Sequence, residues 1–417
     1  MKELFPARDS LSHKISYAHL LLLMASLPFD RFYSHIILIS FALHTLIQYN
    51  KRFTKPVFTL PNLALQSVFF ITVLSTIYSI NKPEAYTEWG KQIPILLFPL
   101  IFCFNSLDLK RYRESLLLAF SMVCTATVIY LYWDAFHTIR HYQLPLTYMF
   151  SAAFTNHNFS EPIDMHATFL SMQLTIALVN MIAALLKERS RYMKIFYLVC
   201  VFILFAGLMQ LCSKSVFFSL FILINLAIPY FLLSGRRRWK FMLITASITT
   251  LSVIGIFRFS ALKERYITDL KADLSEARAG DIYESRLARW KVTGELIARS
   301  PVIGYGAGSE MGLLQQTFFE KKYYNSFLHR LNSHSQYLSF LLKSGIVGLL
   351  LYLATLAFGF KITLKRKDLL FFTFLLLITI VSASENLLDV DKGIIFYAFF
   401  FSFFLFSSRS GKAAVTS

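Results

Sequence analysis

The chain has 417 residues, 56% of them hydrophobic and 16% charged, with 43 Phe. A water-soluble fold cannot hide that much apolar surface, whereas a bilayer demands runs of about twenty apolar residues per crossing helix. The formal charge of +18 would suggest nucleic acid in a soluble protein, but here Lys and Arg punctuate apolar runs and read as topology markers, with no nucleic-acid partner.

In chain order, residues 1–14 are polar and lack a small-residue cleavage site, so no removable signal peptide is expected. Apolar runs follow at about 15–29, 33–49, 57–80, 89–106, 114–134, 163–186, 195–212, 216–234, 241–258, 345–360, 369–385 and 393–408. They predict an all-α polytopic membrane protein of about twelve transmembrane helices. With the N-terminus in the cytoplasm, the inside segments are 1–14, 50–56, 107–113, 187–194, 235–240, 361–368 and 409–417, and they hold 23 of the 42 Lys and Arg residues. The shorter outside segments hold Arg31, Lys82, Arg140, Lys214 and Lys392. Both termini are therefore expected inside. The four cysteines (Cys103, Cys124, Cys200, Cys212) sit in or beside apolar runs and read as packing residues.

Three parts are expected: a bundle of about nine spans over 1–258, an extracytoplasmic loop domain over 259–343, and the last three spans with a cytoplasmic tail over 344–417. Two outside segments are too long to be turns. The first, about 135–162, carries Arg140, His141, His157 and Glu161, with Asp164 and His166 just beyond. In the second, 261–279 reads as an interfacial amphipathic helix. Residues 284–300 read as a second helix, with Leu287, Trp290, Gly294 and Ile297 as its apolar stripe, ended by Ser300-Pro301. After the turn Gly304-Tyr-Gly-Ala-Gly308, a third helix capped by Asn332 or Ser333 should run into the next span past Gly345.

Four outside residues suit chemistry. Arg286 and Arg289, three apart, share a helix face away from the apolar stripe, where the ordinary role is an edge facing water or headgroups. Lys214 lies in a three-residue tip, where snorkelling lysines are common. His334, taken singly, reads as a satisfied polar residue. Together, cations at the outer membrane surface suit a lipid-linked diphosphate, and a histidine near them suits removal of a hydroxyl proton. That combination describes glycosyl transfer without a metal. Asp389 and Asp391 form an acidic pair of the kind that holds divalent ions, but Lys392 abuts it and a charged turn is the plainer reading. No HExxH, Walker A or GxSxG motif occurs, and no cofactor is expected.

The stretch Ser285-Arg-Leu-Ala-Arg-Trp290, continuing through Ala298-Arg-Ser-Pro-Val-Ile-Gly-Tyr-Gly-Ala-Gly308, resembles the signature of the O-antigen ligase family. So does Asn332-Ser-His-Ser-Gln-Tyr-Leu338, followed by Leu342-Lys-Ser-Gly-Ile-Val-Gly348. The resemblance covers about 65 residues. It implies a metal-independent, inverting, C-type glycosyltransferase of the bacterial inner membrane, working on the periplasmic face. Such an enzyme moves a glycan from undecaprenyl diphosphate to an acceptor sugar, lipid A-core for true ligases. By the same resemblance, Arg286 matches the family's loop arginine and His334 its essential histidine. Lys214 stands where the family usually has a second arginine, and a lysine keeps the charge but loses the bidentate fork. Arg289 is a further candidate for the diphosphate, and Glu161, His166 and Glu385 are weaker matches. A polymerase using the same donor is the nearest alternative. A lipid-linked glycan transporter is more distant, because neither repeats nor mid-span charges are seen.

Overall fold

The computed structural model describes residues 10–29, 31–258, 263–276, 281 and 284–408. Regular structure among the described residues is helical throughout, without a strand. The N-terminal half holds α1 (Leu11–Ser26), α2 (Arg31–Ile47), α3 (Leu60–Thr76), α4 (Lys82–Lys91), α5 (Ile93–Phe104) and α6 (Leu109–His141). Then come α7 (Ala167–Lys187), α8 (Arg191–Leu211), α9 (Lys214–Leu232) and α10 (Gly235–Arg258). The rest is α11 (Arg286–Arg299), α12 (Ser309–Glu320), α13 (Gln336–Arg366), α14 (Leu369–Val381) and α15 (Asp391–Ser407). Each of the twelve apolar runs falls on one of these helices. Five of them (α6, α7, α8, α9 and α13) are individually long and apolar enough to cross a bilayer. Residues Phe32–Ile47, α3 and α14 are shorter apolar helices.

The core is aromatic and centres on α15. A helix that is apolar all round has no face to offer water, so it belongs in the middle of a bundle. Helix α15 packs on α2, α3, α5, α6 and α14, with Phe399 against Phe98 and Phe400 against Phe120. Among helices surrounded by lipid, such contacts stabilise by close packing rather than by leaving water. One charged tie closes this bundle: Arg113 at the start of α6 donates both guanidinium nitrogens to Asp368, at 2.6 and 2.7 Å, and Ser408 donates to the same carboxylate.

Above the bundle, residues 284–335 fold over the entry to α13. The expected amphipathic helix at 261–279 is helical over Glu264–Thr268 and Asp269–Asp273, and its ends at 261–262 and 277–279 lie outside the described residues. Helix α11 forms where expected, with Ser285 capping Ala288. Its buried face differs by one position, consisting of Ala288, Arg289, Val292, Thr293 and Leu296 rather than the stripe through Leu287, Trp290, Gly294 and Ile297. Val292 and Leu296 pack with Leu314, Phe318 and Leu342, so tertiary partners from α12 and α13 set the phase. Arg286 and Arg289 thereby part company, Arg286 half-buried at the rim and Arg289 only 4% exposed on the inner face.

Helix α13 also departs from expectation. Its cap is Ser335, whose hydroxyl accepts from Leu338 N, because Asn332 is used by His334 N and the Ser333 hydroxyl by Glu310. The helix breaks at Gly345 (φ 61°, ψ −162°), and there the chain at Val302–Ile303 lies against its Cα. A Cβ at Gly345 would collide with the Val302 carbonyl, so the break and the glycine turn 304–308 require each other. Tyr305 N and Gly306 N donate to the Leu342 and Lys343 carbonyls released by that break.

Candidate active site

Three segments distant in sequence meet over the end of α13: the approach to α7 (157–166), the approach to α13 (332–335), and the turn between α14 and α15 (382–390). Main-chain and amide bonds stitch the last two together. Gln336 N donates to Ser382 O, Leu388 N to the Gln336 side chain, and Ser335 N to Asn386 Oδ1.

His334 sits in this seam with a left-handed backbone (φ 47°), which a non-glycine residue holds only when its surroundings fix it. Asn332 Oδ1 accepts from His334 N at 2.9 Å, and Trp290 Nε1 donates to the neighbouring Ser333 carbonyl at 2.9 Å. The imidazole Nδ1 lies 3.4 Å from Glu385 Oε2. Burial alone would push the Glu385 carboxyl up; contact with His334 and the charges of His166, His334 and Arg286 hold it below the usual carboxylate range. Nδ1 makes no aligned hydrogen bond at that distance, but a carboxylate beside it favours the tautomer with the proton on Nδ1, which leaves Nε2 free to take another.

The pair opens on a cleft of about 590 Å³, lined among others by Glu161, Asp164, His166, Asn332 and Lys392. Lys392 lies 3.6 Å from Asp164. The His166 and His157 rings are 4.2 Å apart, although they are nine positions apart in the chain, and His166 Nδ1 accepts from Thr168 N as the cap of α7. Burial, reinforced by the neighbouring imidazoles and Lys392, lowers His166 to about 4 against the pull of Glu385.

Arg286 reaches the same turn from the other side. Its Nη1 donates to Ser384 O at 3.0 Å, one residue from Glu385. Its Nε lies 3.8 Å from Asp273 Oδ2, and Lys214 Nζ lies 3.3 Å from the same oxygen. Thus Lys214 and Arg286, 72 positions apart in the chain, converge on one carboxylate. Of the sequence candidates, His334, Glu385, His166 and Glu161 line or border one cleft, and Arg286 and Lys214 form a cationic pair beside it. Arg289 is packed inward, below Arg286, and lines neither.

Sequence reasoning missed the buried polar layer below. Lys343, in the first turns of α13, pairs with Glu88 of α4 at 2.5 Å and with Asp389 at 2.7 Å. Asp389 also accepts from Ser339 and Asn386, so it faces Lys343 rather than forming a chelating pair with Asp391. Burial opposes ionisation of Asp389, yet Lys343 and these donors hold its carboxyl below its ordinary value. Among the described residues no cluster of three or more His, Cys, Asp or Glu is arranged to hold a metal ion. Glu310, at the start of α12, is 4% exposed and accepts from Ser333 and Asn386.

Residues 176–353 match a family model described as O-antigen ligase, a stretch that includes Lys214, Arg286, Arg289, Glu310 and His334. No curated protein matches the chain. With helices α6 to α9 and α13 long and apolar enough to span, the protein is integral to a membrane. Over residues 176–353 the chain is thus similar to the O-antigen ligase family.

Proposed function

We propose that the protein is an inverting, metal-independent glycosyltransferase that moves a glycan from undecaprenyl diphosphate to an acceptor sugar, lipid A-core in a ligase. What supports the reading is the convergence of Arg286 and His334 on residues 384–385, with Lys214 on the carboxylate that Arg286 also approaches. In this scheme the acceptor hydroxyl oxygen bonds to the anomeric carbon while the bond from that carbon to the diphosphate oxygen breaks. His334 Nε2 takes the hydroxyl proton, and Glu385 holds the imidazole from Nδ1 and offsets its new charge. The diphosphate leaves with the bonding electrons, and Arg286 and Lys214 receive the charge in place of a metal.

The membrane arrangement that goes with this reading has about twelve crossings, both termini cytoplasmic, residues 259–343 periplasmic, and the bacterial inner membrane as location. It rests on the Lys/Arg asymmetry. The test uses purified protein, lipid-linked glycan donor and lipid A-core acceptor. His334→Ala should abolish transfer with donor binding retained, while Arg286→Ala should weaken both binding and turnover. Normal transfer by His334→Ala would overturn the assignment. A deletion strain separates the reactions: loss of a ligase strands long polymer on the carrier lipid, whereas loss of a polymerase leaves single units.

A further inference from the structure

We infer that Glu310 is a positioning residue for transfer: it holds the His334–Glu385 pair in working geometry by anchoring the residues next to each. The inference rests on the proposed role of His334. Glu310 Oε1 accepts three hydrogen bonds, from Ser333 N at 3.1 Å, from Ser333 Oγ at 2.8 Å and from Asn386 Nδ2 at 2.9 Å. Ser333 immediately precedes His334, and Asn386 immediately follows Glu385. The triangle closes because Asn386 Oδ1 accepts from Ser335 N at 2.8 Å and lies 3.2 Å from Ser333 Oγ, whose single proton is directed to Glu310. One buried carboxylate therefore sets the spacing between the two loops that carry the base and its partner.

The local structure fits that task. Glu310 is the second residue of α12, where the helix dipole favours a negative charge, and the left-handed Gly308 (φ 72°) turns the chain into that helix. Three hydrogen bonds converging on one buried oxygen suit holding His334 in a backbone conformation it would not adopt alone. Glu310 Oε2 has no hydrogen-bond partner among the described residues, so Glu310→Gln leaves the accepting oxygen in place and puts its amide where no bond is lost. Glu310→Asp does the reverse, keeping the charge but withdrawing the oxygen by one methylene.

The experiment measures transfer by Glu310→Ala, Glu310→Gln, Glu310→Asp and His334→Ala, each checked for a monodisperse, folded state, with kcat and donor KM determined separately. The expected result is a fall in kcat of roughly tenfold to a hundredfold for Glu310→Ala and Glu310→Asp, as a displacement near 1 Å produces, with donor KM unchanged. Glu310→Gln should return to within about fivefold of the natural protein, since the pattern of accepted bonds survives. If Glu310→Ala does not fold, Glu310→Asp carries the test. Full activity in both Glu310→Ala and Glu310→Asp overturns the inference. So does an inert Glu310→Gln beside an active Glu310→Asp, which would make charge the important property. A donor KM that rises in step with the loss overturns it too. Normal transfer by His334→Ala would instead remove the proposed function, whatever the Glu310 variants do.

Discussion

Asp273 stands where Lys214 and Arg286 meet, so in the proposed scheme the donor diphosphate has to displace a carboxylate already there. Asp273→Asn should therefore tighten donor binding several-fold, measured as the Kd for undecaprenyl diphosphate. Weaker binding would mean that Asp273 orients the two cations rather than competing for them. Lys214→Ala should cut transfer about tenfold to a hundredfold, since a charge-assisted contact is worth roughly 1.5–3 kcal/mol. Lys214→Arg should keep most of the activity, and a fully active alanine variant would return Lys214 to a snorkelling role. His166 offers a test of a different kind, through pH. Burial lowers it from 6.5 to about 4, so in that interval the unfolded chain binds a proton that the folded chain refuses. Its contribution to stability is therefore complete above pH 6.5 and declines as pH falls toward 4, by up to about 1.4 kcal/mol per unit. Protonation also removes the Nδ1 lone pair that caps α7. The loss in apparent Tm between pH 7 and pH 5 should be smaller in His166→Asn, which can keep the cap; an identical loss would assign the effect to other groups.

Two glycines in neighbouring elements should respond in opposite directions to the same change. Gly345 breaks α13 at positive φ with the Val302 carbonyl against it, so Gly345→Ala should destabilise by roughly 1–3 kcal/mol and disturb the seating of the 304–308 turn. Gly294 lies in regular α11 with open space where a Cβ would go, so Gly294→Ala should stabilise by roughly 0.5–1 kcal/mol. Apparent Tm in detergent distinguishes them, and a shift of the same sign in both would contradict this account. The helices themselves were legible in the sequence because lipid imposes one rule on every span: apolar for about twenty residues, punctuated by charge. The phase of α11 was not, because its surface is mixed and Val292 and Leu296 face inward only once α12 and α13 supply partners. Nor was the cap of α13, since Asn332, Ser333 and Ser335 are all competent caps and only Glu310, distant in sequence, removes Ser333 from contention. Lys343 did not stand out in the sequence because its partner Glu88 lies 255 residues away.

At the level of the whole molecule, the proposed orientation is open to direct test. All four native cysteines are buried, so a single introduced thiol reports with little background. A cysteine at Ser275 should react with an impermeant reagent in intact spheroplasts, and one at Ser234 should react only after lysis; the reverse pattern would put the candidate site on the wrong side for a periplasmic acceptor. Under the proposed scheme, in which Arg286 and Lys214 supply the positive charge, transfer should also persist in EDTA; loss on chelation, restored by magnesium, would bring carboxylates such as Asp391 back into consideration. The placement of α15 bears on how the protein is made. Every bundle helix it packs against precedes it in the chain, so during synthesis those helices enter the membrane around a gap that only α15 fills. Until then, Phe98 and Phe120 lack the contacts with Phe399 and Phe400, and neighbouring spans have reason to stay loosely associated. Biogenesis of this protein thus has a late, committing step, in which a nascent chain stopped before Asp391 is an unfinished ring for membrane quality control to recognise.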